Sequence, residues 1–249
     1  MSKKKTTRKD HTFLVLALTL GGLLLLLAAI LLTLRFVTGR PDDPAPAETE
    51  TAAQTQQFIP DADAATSLGS GIRIADIGTF SGPYYEDGKN DPVDGVAAVT
   101  LVNEGTDEVQ YMTFTVTMTD GAVYAFQATT LLPGDRMLVL AQGRAAYVRG
   151  AEIASSDVTA YARFAESPGL HADTVFIGAV NGQIRVRNLS DHEIKGGRVY
   201  YQNRENGTIM GGITYSLTFG DLGPGEERVL TPSRFREYGS TIRFVTYDD

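Results

Sequence analysis

Residues 112–118 run Met-Thr-Phe-Thr-Val-Thr-Met, so a large apolar side chain alternates with threonine at every position. Successive side chains of a β-strand point to opposite faces, and this alternation therefore predicts a strand with one dry face and one wet face. The same period of two recurs at residues 72–74, 158–164, 184–187 and 213–219. No stretch after residue 71 has a helical period of useful length, which predicts an all-β fold there.

A second signal is an internal repeat. Val-Thr-Leu-Val-Asn at residues 99–103 corresponds to Ile-Arg-Val-Arg-Asn at residues 184–188, an offset of 85. Asp120-Gly121 in the first copy and Asn206-Gly207 in the second favour the positive-φ turns of β-hairpins. The Pro-Gly pairs that follow, at residues 133–134 and 224–225, are offset by 91. The second copy therefore has a hairpin about six residues longer.

The repeat defines two domains, which we place at residues 71–165 and 166–249. About seven strands per copy, with turn signals every 8–12 residues, predict two tandem antiparallel β-sandwiches. We expect the alternating apolar rows, among them Val158, Ala160, Ala162 and Phe164, to face the two cores.

The turn motifs resemble a known class of domain. The first copy carries Asn103-x-Gly105, Val109, Phe114, Val116, Asp120-Gly121 and Leu132-Pro133-Gly134-Asp135, and the second carries Asn188, Ile194, Val199 and Pro224-Gly225-Glu226. Over about residues 95–165 and 180–247 this pattern resembles the FxLYD-type and related immunoglobulin-like modules of bacterial envelope proteins. The resemblance implies two tandem immunoglobulin-like β-sandwiches and assigns no activity.

The N-terminal region indicates a membrane anchor. Thr12–Leu34 is an uncharged stretch of 23 residues, 12 of them leucine. As a helix it would be roughly 34 Å long, enough to cross a hydrocarbon core of about 30 Å. The stretch is longer than the apolar core of a cleaved signal peptide, and no small-residue cleavage site follows it. We therefore expect one transmembrane signal-anchor helix over residues 12–37, with the membrane as a partner of Thr12 to Val37.

The flanks of this segment predict its orientation. Five lysines and arginines lie in residues 1–11, which we expect to form a cytoplasmic basic tail. The positive-inside bias then places the protein in the plasma membrane with its C-terminal domains outside the cell. Residues 38–70 are rich in proline, alanine and acidic or polar residues, a composition that predicts a disordered linker.

Charge and composition exclude several classes of function. The net charge is −8, and because residues 1–10 carry +4, residues 11–249 carry −12. Such an acidic chain disfavours nucleic acid as a partner, since phosphate contacts dominate that affinity. The chain has no cysteine, which excludes disulfides, thiolate metal sites and thiol catalysis.

Candidates for catalysis and metal binding are weak. His171 and His192 fall in predicted loops without a triad pattern around them, and we expect no catalysis and no cofactor. The best cation candidate is the loop at residues 86–95, which has an acidic and amide-rich sequence that suits Ca²⁺. Its candidate ligands are Asp87, Asn90, Asp91 and Asp94, but these residue types also form ordinary turns.

Two tyrosine pairs are candidates for an interaction face. Tyr84 and Tyr85 follow a proline, and Tyr200 and Tyr201 lie in a predicted strand, where one of the two must point outward. Exposed aromatic side chains are enriched at protein interfaces, although ordinary sheet tyrosines would produce the same pattern.

These observations favour a membrane-anchored surface protein that binds an unknown protein or glycan, or has a structural role. An alternative is an accessory subunit of an envelope transport, secretion or sporulation complex, in which the helix contacts other helices through Gly21-Gly22.

Overall fold

The computed structural model describes residues 56–248, without the side chains of residues 62 and 63. The part of the chain that it describes is all-β, and its longest helical segment is one 3₁₀ turn, Gln142–Arg144. The strands are β1 (Gln57–Gly69), β2 (Ile72–Pro83), β3 (Pro92–Asn103), β4 (Val109–Met118), β5 (Val123–Leu131), β6 (Arg136–Leu140), β7 (Ile153–Arg163), β8 (Val175–Val180), β9 (Gln183–Asn188), β10 (Ile194–Glu205), β11 (Thr208–Met210), β12 (Tyr215–Leu222), β13 (Glu227–Leu230) and β14 (Ser240–Asp248).

Strands β1–β7 form a first lobe. One sheet has the order β1-β2-β3-β6 and the other the order β5-β4-β7, and both contribute to a single apolar core. Phe114 and Phe126 of the smaller sheet stack with their ring centroids 5.1 Å apart inside this core. The alternation in residues 112–118 predicts one dry face, and this is confirmed: Met112, Phe114, Val116 and Met118 are all buried.

Strands β8–β14 form a second lobe with a core of its own. A sheet with the order β13-β9-β8 contributes Ile184 and Val186, and strands β10, β12 and β14 contribute Val199, Phe219 and Val245. Both cores belong to one compact unit, residues Ala53–Asp249.

The internal repeat is visible in hydrogen bonds as well as in sequence. The buried Asn103 amide donates to the carbonyls of Asp107 and Leu131 at 2.8 and 3.1 Å. The buried Asn188 amide donates to the equivalent carbonyls, those of His192 and Leu222, at 2.8 and 2.9 Å. Each asparagine therefore ties two turns of its lobe to the end of a strand, which explains its place in the sequence motif.

The longer hairpin of the second copy joins the two lobes. Asn206 and Gly207 adopt φ values of 47° and 83°, as the hairpin turn requires, and the chain returns as β11. Strand β11 then pairs in parallel with β6 of the first lobe, Ile209 opposite Met137. Ile209 is fully buried in the core of the first lobe, so one sheet runs through both lobes.

Two sequence-based predictions differ from the structure in the described residues. Residues 57–69, assigned above to a disordered linker, form β1 and pair with β2, because an edge strand needs backbone partners on one side only. Ala160 and Ala162, assigned to the core, are exposed, because a β-bulge between Val158 and Ala160 places them opposite Thr113 and Tyr111 on the outer face of β4.

The predicted tail, anchor helix and first part of the linker lie outside the described residues. Within residues 56–248, no helix has the length and apolar character of a membrane span.

Candidate functional site

A cleft of about 530 Å³ lies between the two lobes. Strands β4 and β5 form one wall, β10 and β14 form the opposite wall, and the segment that connects the lobes adds further lining residues. The lining residues are Gln110, Gln127, Thr129, Thr130, Phe164, Glu166, Ser167, Pro168, Gly169, His171, Tyr200, Ile213, Thr214, Phe244, Val245 and Thr246. A volume of this size falls within the range of about 300–1,000 Å³ that is typical of ligand sites.

Three aromatic rings form an apolar wall of the cleft. Tyr200 of β10 stacks on Phe244 of β14, with centroids 4.2 Å apart and planes at 12°. Phe164, from the segment between the lobes, meets Phe244 edge-on at 5.3 Å. Phe244 is held between the other two rings and is buried, so the rings are fixed by each other rather than by a ligand.

A hydrogen-bond network braces the cleft where the lobes meet. Gln202 of β10 is fully buried, and its amide nitrogen donates to the carbonyl of Thr129 at 2.9 Å and to the hydroxyl of Thr214 at 3.1 Å. The Thr129 hydroxyl in turn donates to the carbonyl of Gly212 at 2.9 Å. The two bonds that involve Thr129 cross from one lobe to the other, and the network fixes side chains on both walls.

Thr130, on the same wall, has a strained backbone. Its φ is 54°, in the left-handed region that a β-branched residue rarely adopts. The buried Gln202 amide donates to its carbonyl at 3.3 Å, and the neighbouring Thr129 N–H donates to Gly212 at 2.7 Å. Packing from the second lobe therefore maintains this conformation, and such strain is often found at binding sites.

A carboxylate beside the cleft bridges the lobes. Glu86 accepts hydrogen bonds from the backbone N–H of Leu140 at 2.7 Å and of Gly212 at 2.9 Å. Burial raises the pKa of Glu86 to about 7, in spite of these two N–H donors, which lower it. Gly212 has no room for a side chain, since a Cβ there would lie 1.8 Å from the carbonyl oxygen of Gln127.

A charged cluster also joins the lobes. Asp135, at the Pro-Gly turn of the first lobe, accepts a hydrogen bond from Arg204 of the second lobe at 2.8 Å and another from Arg243. The side chains of Asp135 and Arg243 are each only 8% exposed. The carboxylate also caps the N–H of Leu132 at 2.8 Å, so the turn and the two arginines fix one another.

The loop at residues 86–95, the best cation candidate in the sequence, contacts the second lobe through Asn90. The Arg144 guanidinium pairs with Asp87 at 3.0 Å and with Asp91 at 3.3 Å, which neutralises two of the four candidate ligands. Asn90 accepts a hydrogen bond from the Tyr215 hydroxyl at 3.2 Å, and Asp94 accepts one from Ser81 at 2.5 Å. Residues 56–248 contain no group of three or more histidine and acidic side chains placed to hold a metal ion.

The predicted tyrosine face is wrong at three of its four residues. Tyr84, Tyr85 and Tyr201 are buried, with 5%, 1% and 2% exposure, because their rings fill the two cores. The pKa of Tyr201 is raised to about 12, chiefly by burial and to a smaller extent by the nearby Tyr215. Tyr200 alone is half-buried, and it lines the cleft.

The two histidines have different surroundings. His171 lies at the cleft and meets Tyr247 edge-on at 5.3 Å. His192 is on an exposed turn, where its Nδ1 lies 3.2 Å from Asp191. In the described part of the chain, no ion pair or hydrogen bond joins His171 to a carboxylate.

Sequence reasoning did not identify the cleft. Gln127, Tyr200 and Phe244 come from strands far apart in the chain, and each has the pattern of an ordinary strand residue. The available signal was the Gly211-Gly212 pair in the longer hairpin, because glycine in or beside a strand marks close backbone approach.

Comparisons of the chain with protein-family models, with curated proteins and with solved structures found no match.

Proposed function

We propose that this chain is a membrane-anchored surface protein without catalytic activity, whose two lobes hold a binding cleft between them. The observation that carries the proposal is the bracing of the cleft by both lobes, through Gln202, Glu86 and the β6–β11 pairing. A site whose walls are fixed in advance loses little entropy when it binds a ligand.

The chemistry of the cleft supports binding over catalysis. A nucleophilic triad needs a histidine between a hydroxyl and a carboxylate, and the ring of His171 instead contacts Tyr247. Most polar lining groups are uncharged amides and hydroxyls, which recognise ligands but are weak acids and bases.

The apolar segment Thr12–Val37 supports the membrane anchor, and the basic residues before it support an extracellular location for the lobes. A test is protease treatment of intact cells that carry the full chain with a C-terminal epitope tag. Loss of the tag from intact cells is expected. A tag that is cleaved only after lysis would contradict this location.

A photocrosslinking experiment tests the binding role on living cells. A benzophenone amino acid at Gln110, in the cleft, should capture a ligand or partner that the same residue at Gln183, exposed on the second lobe, does not. Equal crosslinking at the two positions would contradict a specific role for the cleft.

A second candidate function is an accessory subunit of an envelope membrane complex. Gly21-Gly22, midway along the apolar segment, favours it because small residues allow close helix packing. Replacement of both glycines by leucine should then abolish co-purification with other membrane proteins, whereas a simple anchor would tolerate the change.

A further inference from the structure

The charges of the residues that line the cleft indicate the class of its ligand. This inference rests on the binding role proposed above. Among the described residues that line it, none is lysine or arginine, and Glu166 is the only carboxylate. An anionic ligand would therefore meet no fixed positive charge, and the net charge of −8 would repel it. These charges favour an uncharged ligand.

The lining combines uncharged hydrogen-bonding groups with aromatic rings. Gln110 and Gln127 on one wall face Thr246 on the other, and the Tyr200–Phe244 stack lies beside them. The side-chain oxygen of Gln127 accepts one hydrogen bond, from the Gln142 amide at 3.3 Å. The side-chain N–H groups of Gln127 are then left to donate to a ligand. A ligand that suits this wall has apolar C–H faces and many hydroxyls.

A peptide that adds to a sheet edge fits the cleft less well. Such binding needs unpaired backbone N–H and C=O groups along a strand. The edges of β5 and β14 that border the cleft already use the N–H of Thr129, which donates to Gly212 at 2.7 Å, and that of Val245, which donates to Gly169 at 3.0 Å. Recognition in the cleft therefore depends on side chains.

We propose that the cleft binds an uncharged oligosaccharide, with sugar C–H faces packed on the Tyr200–Phe244 wall and hydroxyls bonded to Gln110, Gln127 and Thr246. A sugar ring offers both features in one rigid unit. Its hydroxyls donate and accept, so the glutamine amides and threonine hydroxyls satisfy them without charge. The fixed aromatic stack supplies the apolar contact at little entropic cost.

The test is isothermal titration calorimetry of the full chain in phosphatidylcholine nanodiscs, which avoids sugar-based detergents that would compete. The probes are maltotetraose, cellotetraose and the tetramer of N-acetylglucosamine. We expect at least one to bind, and expect Gln110→Trp, which fills the cleft from an exposed position, to weaken binding by about tenfold or more. Thr246→Trp obstructs the cleft from the other wall and should have the same effect.

The matched control is Gln183→Trp, the same substitution at an exposed strand position of the second lobe. It should leave affinity within about twofold of the unsubstituted chain. Circular dichroism and thermal melts of each variant confirm that its lobes are folded.

The remaining outcomes separate this inference from the proposed function. Inorganic phosphate and a peptide with the sequence of residues 40–48 are titrated in parallel. Binding of either, abolished by Gln110→Trp, would keep the cleft as a binding site and overturn the saccharide assignment alone. Failure of all three tetrasaccharides, or saccharide binding that survives both tryptophan variants, would also overturn the assignment.

Discussion

Asp135→Asn should weaken the contact between the two lobes and leave the turn around residue 135 intact. Asparagine keeps an oxygen that can cap the N–H of Leu132, a bond of 2.8 Å in the structure. It removes the negative charge that Arg204 and Arg243 share across the lobe contact. The Arg243 side chain is 8% exposed, so its charge would remain buried without a counter-charge.

The expected loss follows from that burial. Removal of one partner of a buried ion pair costs about 3–5 kcal/mol, because the remaining charge is neither paired nor hydrated. Arg204 is 30% exposed and can regain water, which places the expected loss of unfolding free energy near the lower end, about 3 kcal/mol. A double variant that also replaces Arg243 with methionine should recover part of this loss, since no unpaired charge is then buried there.

The internal repeat supplies a matched control. Glu226 occupies the equivalent turn of the second lobe and caps the N–H of Gly223 at 3.0 Å, as Asp135 caps Leu132. Its partner Arg228 is 41% exposed and lies in the same lobe. Glu226→Gln therefore keeps the cap and removes only an exposed ion pair, and we expect it to change stability little.

The assay is urea denaturation of a fragment of residues 53–249, because urea does not screen charges as guanidinium does. Both variants are compared with the unsubstituted fragment at one pH and salt concentration. If Asp135→Asn is no more destabilising than Glu226→Gln, the cluster does not hold the lobes together and the reasoning is wrong.

Three other substitutions test the contact between the lobes. Glu86→Gln should be more stable than the unsubstituted fragment above pH 7. Folding raises the Glu86 pKa from 4.5 to about 7, so the unsubstituted protein loses roughly 3 kcal/mol of stability as pH rises between these values. Parallel pH–stability curves for the two proteins would count against that pKa. Gly212→Ala should lower the melting temperature strongly, since its Cβ would meet a backbone oxygen at 1.8 Å, whereas Gly223→Ala meets its nearest atom at 3.7 Å and should be tolerated. Similar melting temperatures would contradict the close approach. Ile209→Ala should cost about 2–5 kcal/mol in urea denaturation, because this residue of the second copy is buried in the core of the first lobe; a loss below about 1 kcal/mol would indicate that β11 does not pack there.

Local patterns in the sequence predicted the individual strands well. The alternation at residues 112–118 and the Asn103 and Asn188 motifs depend on neighbours within one sheet or turn, and the structure confirms them. Strand β1 was missed because most of residues 57–69 are small or polar, and the few apolar ones that pack on the core, Phe58 and Leu68 among them, do not form an alternating row along the segment. The alternation rule also indicated that one of Tyr200 and Tyr201 points out of the core, as it does.

The contact between the lobes was beyond sequence reasoning for a physical reason. The extra length of the second hairpin was visible in the offset between the copies, but nothing local indicates that β11 pairs with β6. The walls of the cleft come from strands of both lobes that are far apart in the chain. The cleft therefore depends on the pairing that joins the lobes. The loop at residues 86–95 contacts the second lobe through Glu86 and Asn90, and these contacts could not be read from its local sequence.

A distance measurement between the lobes tests most directly whether they form one rigid body around the cleft. The chain has no cysteine, so cysteines introduced at Val123 and Val180 would be the only labelling sites for nitroxides. Val123 lies on the first lobe and is 59% exposed, and Val180 lies on the second lobe and is 53% exposed. Double electron–electron resonance should give a single narrow distance distribution. A broad distribution, as expected for two domains on a flexible joint, would contradict the account.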